Sequence, residues 1–162
     1  MNFSAENSTA LDVTSLCRDH AFAEALTICL WANYWSHRTI TATENSFGLN
    51  RDDCNVLITL WRYRQLTASE IAQLNGRPKN SIGRAVKRLT EKKLAQIHAD
   101  KVDSRKKNLR LTADGLAMME RLKPIFIDRQ EDMLSRLDKN QRKIVRDLLF
   151  KTFVDLPAWQ VD

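Results

Sequence analysis

Residues 66–94 read LTASEIAQLNGRPKNSIGRAVKRLTEKKL, and the punctuation inside this stretch decides how it folds. Thr67 and Glu70 stand at the two positions of a capping box, with Leu66 and Ile71 placed as the apolar staple that fixes the entry angle. The helix so started is short, because Asn75-Gly76 stops it and Pro78 can open a second helix at its first position. Two helices joined by so tight a turn make a helix-turn-helix. The second, predicted over 78–93, divides cleanly. Ile82, Ala85, Val86 and Leu89 form an apolar stripe, while Asn80, Ser81, Gly83, Arg84, Lys87 and Arg88 occupy the rest of its surface.

After Leu94 the apolar period changes to two. Ala95, Ile97 and Ala99 alternate with Gln96, His98 and Asp100, and Leu109 and Leu111 alternate with Asn108 and Arg110. Two short strands are predicted, enclosing a charged tip at 101–107. Upstream, Asn50 reads as an N-cap with Asp52 and Asp53 in the first turn, where the helix dipole favours negative charge. That helix is expected to turn Val56, Leu57, Leu60 and Trp61 inward and to end near Arg64.

Residues 16–38 carry Phe22, Ala25, Leu26, Cys29, Ala32 and Trp35 at helical spacing, with Leu30, Trp31 and Tyr34 on other faces. A helix apolar all round belongs in a core or a subunit interface. Residues 39–49 then read as a connection, and 1–14 as a polar, aperiodic arm. Downstream, Thr112 caps a helix running to about 136, inside which Pro124 should introduce a kink. Asp138 with Gln141 starts a last helix bearing Ile144, Val145, Leu148, Leu149 and Phe153. The fold class is mainly α with a small β-hairpin wing.

Charge singles out the same stretch. Residues 66–112 hold twelve Lys or Arg against four acids, a net +8 in a chain whose total is +6, so the remainder is net −2. The basic excess therefore sits in one segment, as expected where that segment faces a polyanion. A reading helix needs donors on one face and apolar anchors on the other. Arg84 is the candidate for base readout, since a guanidinium can take guanine O6 and N7 together. Lys79, Ser81, Lys87 and Arg88 suit phosphate contacts, which position without specifying sequence. The hairpin tip suits the minor groove, whose narrow, negative channel draws arginine. There Asp103 can hold the wing or Arg105 by an ion pair, though an ordinary turn aspartate reads equally well. The candidate contacts to double-stranded DNA are thus Thr67, Ser69, Lys79, Asn80, Ser81, Arg84, Lys87, Arg88, Asp103, Arg105, Lys106 and Lys107.

Other classes find little support. There is no Gly-rich phosphate loop, nucleophile elbow or helical zinc motif, so neither an enzyme nor a cofactor is expected. His20, His37 and His98 are too scattered for a metal site. No apolar run approaches the roughly 20 residues that span a bilayer, and no signal peptide is read at the start. Cys17, Cys29 and Cys54 read as free, buried, inert thiols in a reduced cytoplasmic protein. A competing function is a winged-helix module that binds other proteins and barely touches DNA; the location of the positive charge argues against it.

The runs Leu66-Thr-Ala-Ser-Glu-Ile-Ala-Gln-Leu and Ser81-Ile-Gly-Arg-Ala-Val-Lys-Arg-Leu-Thr-Glu-Lys-Lys-Leu94 resemble the helix-turn-helix of the MarR family of transcription regulators. Asp103-Ser-Arg105 followed by Leu109-Arg-Leu-Thr-Ala-Asp-Gly115 resembles that family's wing and exit signature. The similarity extends from Leu16 to about Phe153. Gly83 departs from it by replacing a commoner polar residue, and Lys93 stands where the family often has glycine. The resemblance implies a homodimeric, ligand-responsive regulator, more often a repressor, acting on a pseudo-palindromic operator. The organisation it implies is an arm over 1–15, a dimerisation helix and connection over 16–49, a winged domain over 50–112, and dimerisation helices over 113–162. It further implies a small aromatic effector, with Trp31, Trp35, His37, Arg38 and Trp61 as candidate pocket residues. The same tryptophans read more readily as core or interface anchors, because large aromatics dominate such places.

Overall fold

The structure, a computed structural model, describes residues 12–99 and 107–153. A short 3-10 turn, Val13–Cys17, is followed by helix α1, Ala23–Phe47. Then come α2, Arg51–Tyr63, strand β1, Leu66–Thr67, and the pair α3, Ala68–Asn75, and α4, Lys79–Glu91. Strands β2, Ala95–Ala99, and β3, Lys107–Leu111, form the wing, and α5, Ala113–Leu134, and α6, Lys139–Phe153, close the described chain. The expected class, mainly helical with a small β wing, is the one observed.

Helix starts follow the local chemistry closely. Asn50 Oδ1 accepts from the backbone N–H groups of Asp52 and Asp53 at 3.0 and 3.1 Å, and Asp53 Oδ2 accepts from Asn50 N at 3.1 Å. Thr67 and Glu70 exchange the same reciprocal pair, and Thr112 Oγ1 accepts from Gly115 N at 3.0 Å. Each satisfies N–H groups that the first helical turn leaves unpaired. Asp138 and Gln141 do likewise before α6. Pro78 is the N-cap residue rather than the first helical one, so α4 is shorter at both ends than 78–93.

The connection expected over 39–49 is instead mostly helix. Its threonines and isoleucine have weak helix propensity, but tertiary packing overrides it. Thr39 and Thr43 are fully buried, with hydroxyls donating to the carbonyls of Trp35 at 2.6 Å and Ile40 at 2.9 Å. Thr43 Oγ1 also lies 2.9 Å from the Leu49 carbonyl, and Ile40 and Phe47 pack on the core. Gly48 ends α1 at φ 61, the left-handed position that glycine fills without penalty.

The core lies among α2, α3, α4, the base of the wing and the first half of α5. Leu57, Ile71, Ile82, Leu89 and Leu122 are all wholly inaccessible. The stripe expected on α4, Ile82, Ala85, Val86 and Leu89, is the buried one. The sheet has the order β1-β3-β2, with Leu66 opposite Leu109 and Ala95 opposite Leu111. Strand β1 was not expected; its two residues double as the staple and cap of α3. Ile97, one of the apolar residues of the β2 alternation, is 47% exposed. Trp61, expected inward, lies partly exposed with Lys123 Nζ 4.7 Å from its ring centroid.

The corner entering the wing is tight. Lys93 adopts φ 58 without being glycine, and Thr112 Oγ1 donates to its carbonyl at 2.6 Å. A Cβ on Gly115 would sit 2.0 Å from the Leu94 carbonyl oxygen, so this position admits no side chain without moving backbone.

Candidate nucleic-acid interface

Helix α4 carries the candidate reading face. Burial of Ile82, Ala85, Val86 and Leu89 turns Lys79, Asn80, Arg84 and Lys87 outward, and all four are exposed. Ser81 is half-buried at the edge and accepts from Arg84 Nη2 at 3.3 Å, a contact that aims the guanidinium along the helix surface. Lys87 makes only a solvent-exposed pair with Glu91 at 3.9 Å. Exposed pairs at this spacing are worth a few tenths of a kcal/mol, so a phosphate can displace one readily. Gly83 is exposed with open space where a Cβ would be, so no contact within the chain explains it.

Arg88 behaves differently. Its Nη2 lies 2.8 Å from Asp53 Oδ1 and 3.3 Å from Asn50 Oδ1, and its Nε lies 3.1 Å from Asp53 Oδ1. The guanidinium expected to meet phosphate is thus held against the capped start of α2. Asp53, 2% exposed in its side chain, needs that partner because an uncompensated buried carboxylate is costly. Arg77 is similarly engaged. Its Nε meets Asp52 Oδ1 at 2.8 Å and its Nη2 meets Asp52 Oδ2 at 3.3 Å, and the Asp52 hydrogen bond raises the arginine's pKa above its ordinary value. No sequence signal pointed to either pair, since the partners lie 25 and 35 positions apart.

Thr67 is half-buried with its hydroxyl engaged by Glu70, whereas Ser69 on the first turn of α3 is exposed. Lys107 is exposed at the start of β3. Asp103, Arg105 and Lys106 lie outside the described residues. At the wing base, Arg110 Nε donates to Gln65 Oε1 at 2.6 Å, tying β3 to the turn before β1.

The five candidate effector residues are spread over α1 and α2. Trp35 stacks on Phe126 of α5 with centroids 6.3 Å apart, while Trp31, His37 and Arg38 are exposed on α1 and Trp61 sits on α2. One shallow cleft is lined by Cys17, Ala23, Glu24, Thr27 and Ile28, another by residues at the wing base. Neither includes any of the five. Of the thiols expected to be buried, only Cys54 is; burial raises its pKa, while Cys17 is half-buried and Cys29 exposed. Among the described residues no cluster of His, Cys, Asp and Glu could hold a metal, and no helix is long and apolar enough to cross a membrane.

A family model described as the sugar-specific transcriptional regulator TrmB matches residues 44–114. The HTH-type transcriptional regulator TcaR of Staphylococcus aureus (strain Newman) is 30% identical over 108 residues, 65% of this chain and 71% of that protein. The fold is also that of a mutant MarR from E. coli solved with operator DNA, at TM-score 0.70 and 16% identity over 83% of this chain and 99% of that one. It is likewise that of Bordetella bronchiseptica BpsR, whose DNA binding is regulated by 6-hydroxynicotinic acid, at TM-score 0.71 and 20% identity over 83% and 97% of the two chains. Matched sequence and architecture agree: the chain belongs to the MarR family of winged helix-turn-helix transcription regulators, and is a regulator rather than an enzyme.

Proposed function

We propose that the protein is a homodimeric, ligand-responsive repressor that reads a pseudo-palindromic operator through α4. The observation that carries this reading is the outward face of α4. Lys79, Asn80, Ser81, Arg84 and Lys87 stand there over a fully apolar inner stripe, and among the described residues the contacts of Arg84 with Ser81 and of Lys87 with Glu91 are exposed ones. Arg84 reads a base edge; Lys79 and Lys87 meet phosphates; Ser69 and Lys107 extend the footprint on either side. Arg105, outside the described residues, enters the minor groove. The E. coli MarR complex with operator DNA supports the DNA partner, and BpsR supports an effector.

A second copy of the chain is supported by the outer helices. Phe22 is 64% exposed and Tyr34 57%, and α6 has no buried residue although Leu148, Phe150 and Phe153 are each at least half exposed. Apolar groups exposed in such number on the outer helices favour an interface. The effector site falls between these helices and the winged domain, around Trp35 and Phe126, and is completed by the partner.

Binding of the purified protein to labelled duplex across a salt series tests the reading. The logarithm of affinity should fall linearly and steeply with log salt. Arg84→Ala should weaken binding to a selected genomic fragment by about 1–3 kcal/mol and leave unrelated DNA less affected. No binding to any duplex at low salt would overturn the proposal and leave the winged domain as a protein-interaction module.

A further inference from the structure

The two arginine–aspartate pairs have a shared geometry. Asp52 and Asp53 are consecutive in the first turn of α2, yet their partners lie at opposite ends of α4: Arg77 just before it and Arg88 in its last turn. Arg77 and Arg88 are separated by most of that helix, about 16 Å at 1.5 Å per residue. The buried stripe seats α4 on the core, and polar ties at both ends add a constraint on its tilt and axial rotation.

The anchor is stiff. Asp53 is fixed by Asn50 N as well as by Arg88, and Asn50 Oδ1 serves two backbone N–H groups and Arg88 together. Leu49, immediately before, is wholly buried and its carbonyl is held by Thr43. On the other side, Arg77 N donates to the Ala72 carbonyl at 3.0 Å, so the start of α4 is tied to α3 too. Planar guanidinium groups meeting carboxylates through more than one bond fix orientation as well as distance. Buried ion pairs seldom add net stability, and their best-attested use is to select one geometry among several.

We infer that Asp52 and Asp53 are positioning residues that hold the reading helix through Arg77 and Arg88, setting sequence discrimination while keeping Arg88 off the DNA backbone. This rests on the proposed DNA binding by α4. The reason is competitive. Moving Arg88 to a solvated phosphate would strand Asp53 as a buried, unpaired charge, and a backbone contact repays less than that. Base readout by Arg84, one turn before Arg88, needs α4 at a fixed pitch, because bidentate recognition tolerates little angular error.

The test compares the unaltered full chain with D53N, with the double variant D53N/R88Q, and with D52N/R77Q. Each is titrated against an operator duplex recovered by genomic selection and a scrambled duplex of equal length, over a salt series. The double variant leaves no lone buried charge, so it should fold; circular dichroism and a thermal melt check this. It is expected to keep the unaltered salt slope on both duplexes while its operator-to-scrambled affinity ratio falls about tenfold. D53N alone, which releases Arg88, should steepen the slope by about 0.9, the value of one added phosphate contact.

A double variant whose slope is shallower by about 0.9 would place Arg88 on phosphate and overturn the inference. An unchanged operator-to-scrambled ratio would overturn it as well. Should D53N/R88Q melt below the assay temperature, D52N/R77Q, a half-exposed pair, carries the same comparison of ratio and slope. If the unaltered chain binds neither duplex, the DNA-binding reading itself fails. If it binds both and only the variants depart from expectation, the positioning role fails alone.

Discussion

The winged unit and the outer helices contain similar apolar side chains and treat them in opposite ways. From Leu49 to Leu122 those groups are mostly inside: Val56, Leu57, Ile71, Ile82 and Leu89 have no accessible surface. In α1 the only buried residues are two threonines, and α6 has none, while Trp31, Tyr34, Leu148 and Phe150 face outward. Apolar composition alone therefore does not make a core. The winged unit has elements on enough sides to enclose its own stripe, whereas among the described residues α1 is covered mainly along the side that meets α5 and α6 has no buried residue. The difference teaches that apolar side chains become core only where neighbouring elements enclose them, and that the outer helices leave theirs in solvent among the described residues.

The sharpest way to break this contrast is a matched pair of leucines. Leu57→Ala, inside α2, should lower the free energy of unfolding by about 2–5 kcal/mol, the usual range for emptying a packed leucine site. Chemical denaturation measures it, and the loss should not depend on protein concentration. Leu148→Asp, on α6, should leave the winged unit folded but move the protein from two chains to one in a sizing experiment. A dimeric Leu148→Asp, or a Leu57→Ala as stable as the unaltered chain, would erase the distinction between the regions.

A smaller effect probes how self-sufficient the winged unit is. Thr67→Ala removes one half of the capping box before α3 and should cost about 1 kcal/mol by thermal or chemical unfolding. A cost near zero would mean that the pairing of Leu66 with Leu109 on β3, rather than the cap, sets the start of that helix.

The smallest effect concerns the outer helices. Arg142 joins α6 to α5 through Glu131 at 2.6 Å and through the carbonyls of Leu134 and Leu137. The hydrogen bond from Arg142 holds the Glu131 pKa below its ordinary 4.5. A folded-state value below the unfolded one means that the contribution is full above that ordinary value and is lost as pH falls through the lowered one. Melting curves of the unaltered chain and of Glu131→Gln should differ slightly at neutral pH and converge on acidification. A gap that widens as the pH drops would contradict this. The pair is exposed, so the difference should be near the limit of detection.

What was legible in the sequence was local. The caps at Asn50, Thr67, Thr112 and Asp138, the stop at Gly76 and the inner stripe of α4 are encoded within a few residues of where they act. Arg84 and Lys87 were placed on the outward face by periodicity alone, and they lie there. Residues 39–49 read as a connection, yet α1 continues through them to Phe47. The hydroxyls of Thr39 and Thr43 are satisfied by carbonyls and their methyls packed against the core, which only neighbouring elements could arrange. Strand β1 was missed because two residues make a strand only once β3 lies beside them. The candidate effector residues stand on two separate helices, α1 and α2.

By itself, then, the sequence determined the helix-turn-helix, the wing and the basic face, since backbone capping and side-chain period are short-range properties. Tertiary structure alone decided which arginines are available to a partner. Arg84 and Arg88 are one helical turn apart and chemically identical, and no local rule separates them. Arg88 meets a buried carboxylate from 35 residues away, while Arg84 meets only the hydroxyl of Ser81 at the edge of solvent. The physical reason is desolvation: a charge enclosed by the fold binds its counter-charge far more firmly than one left in water.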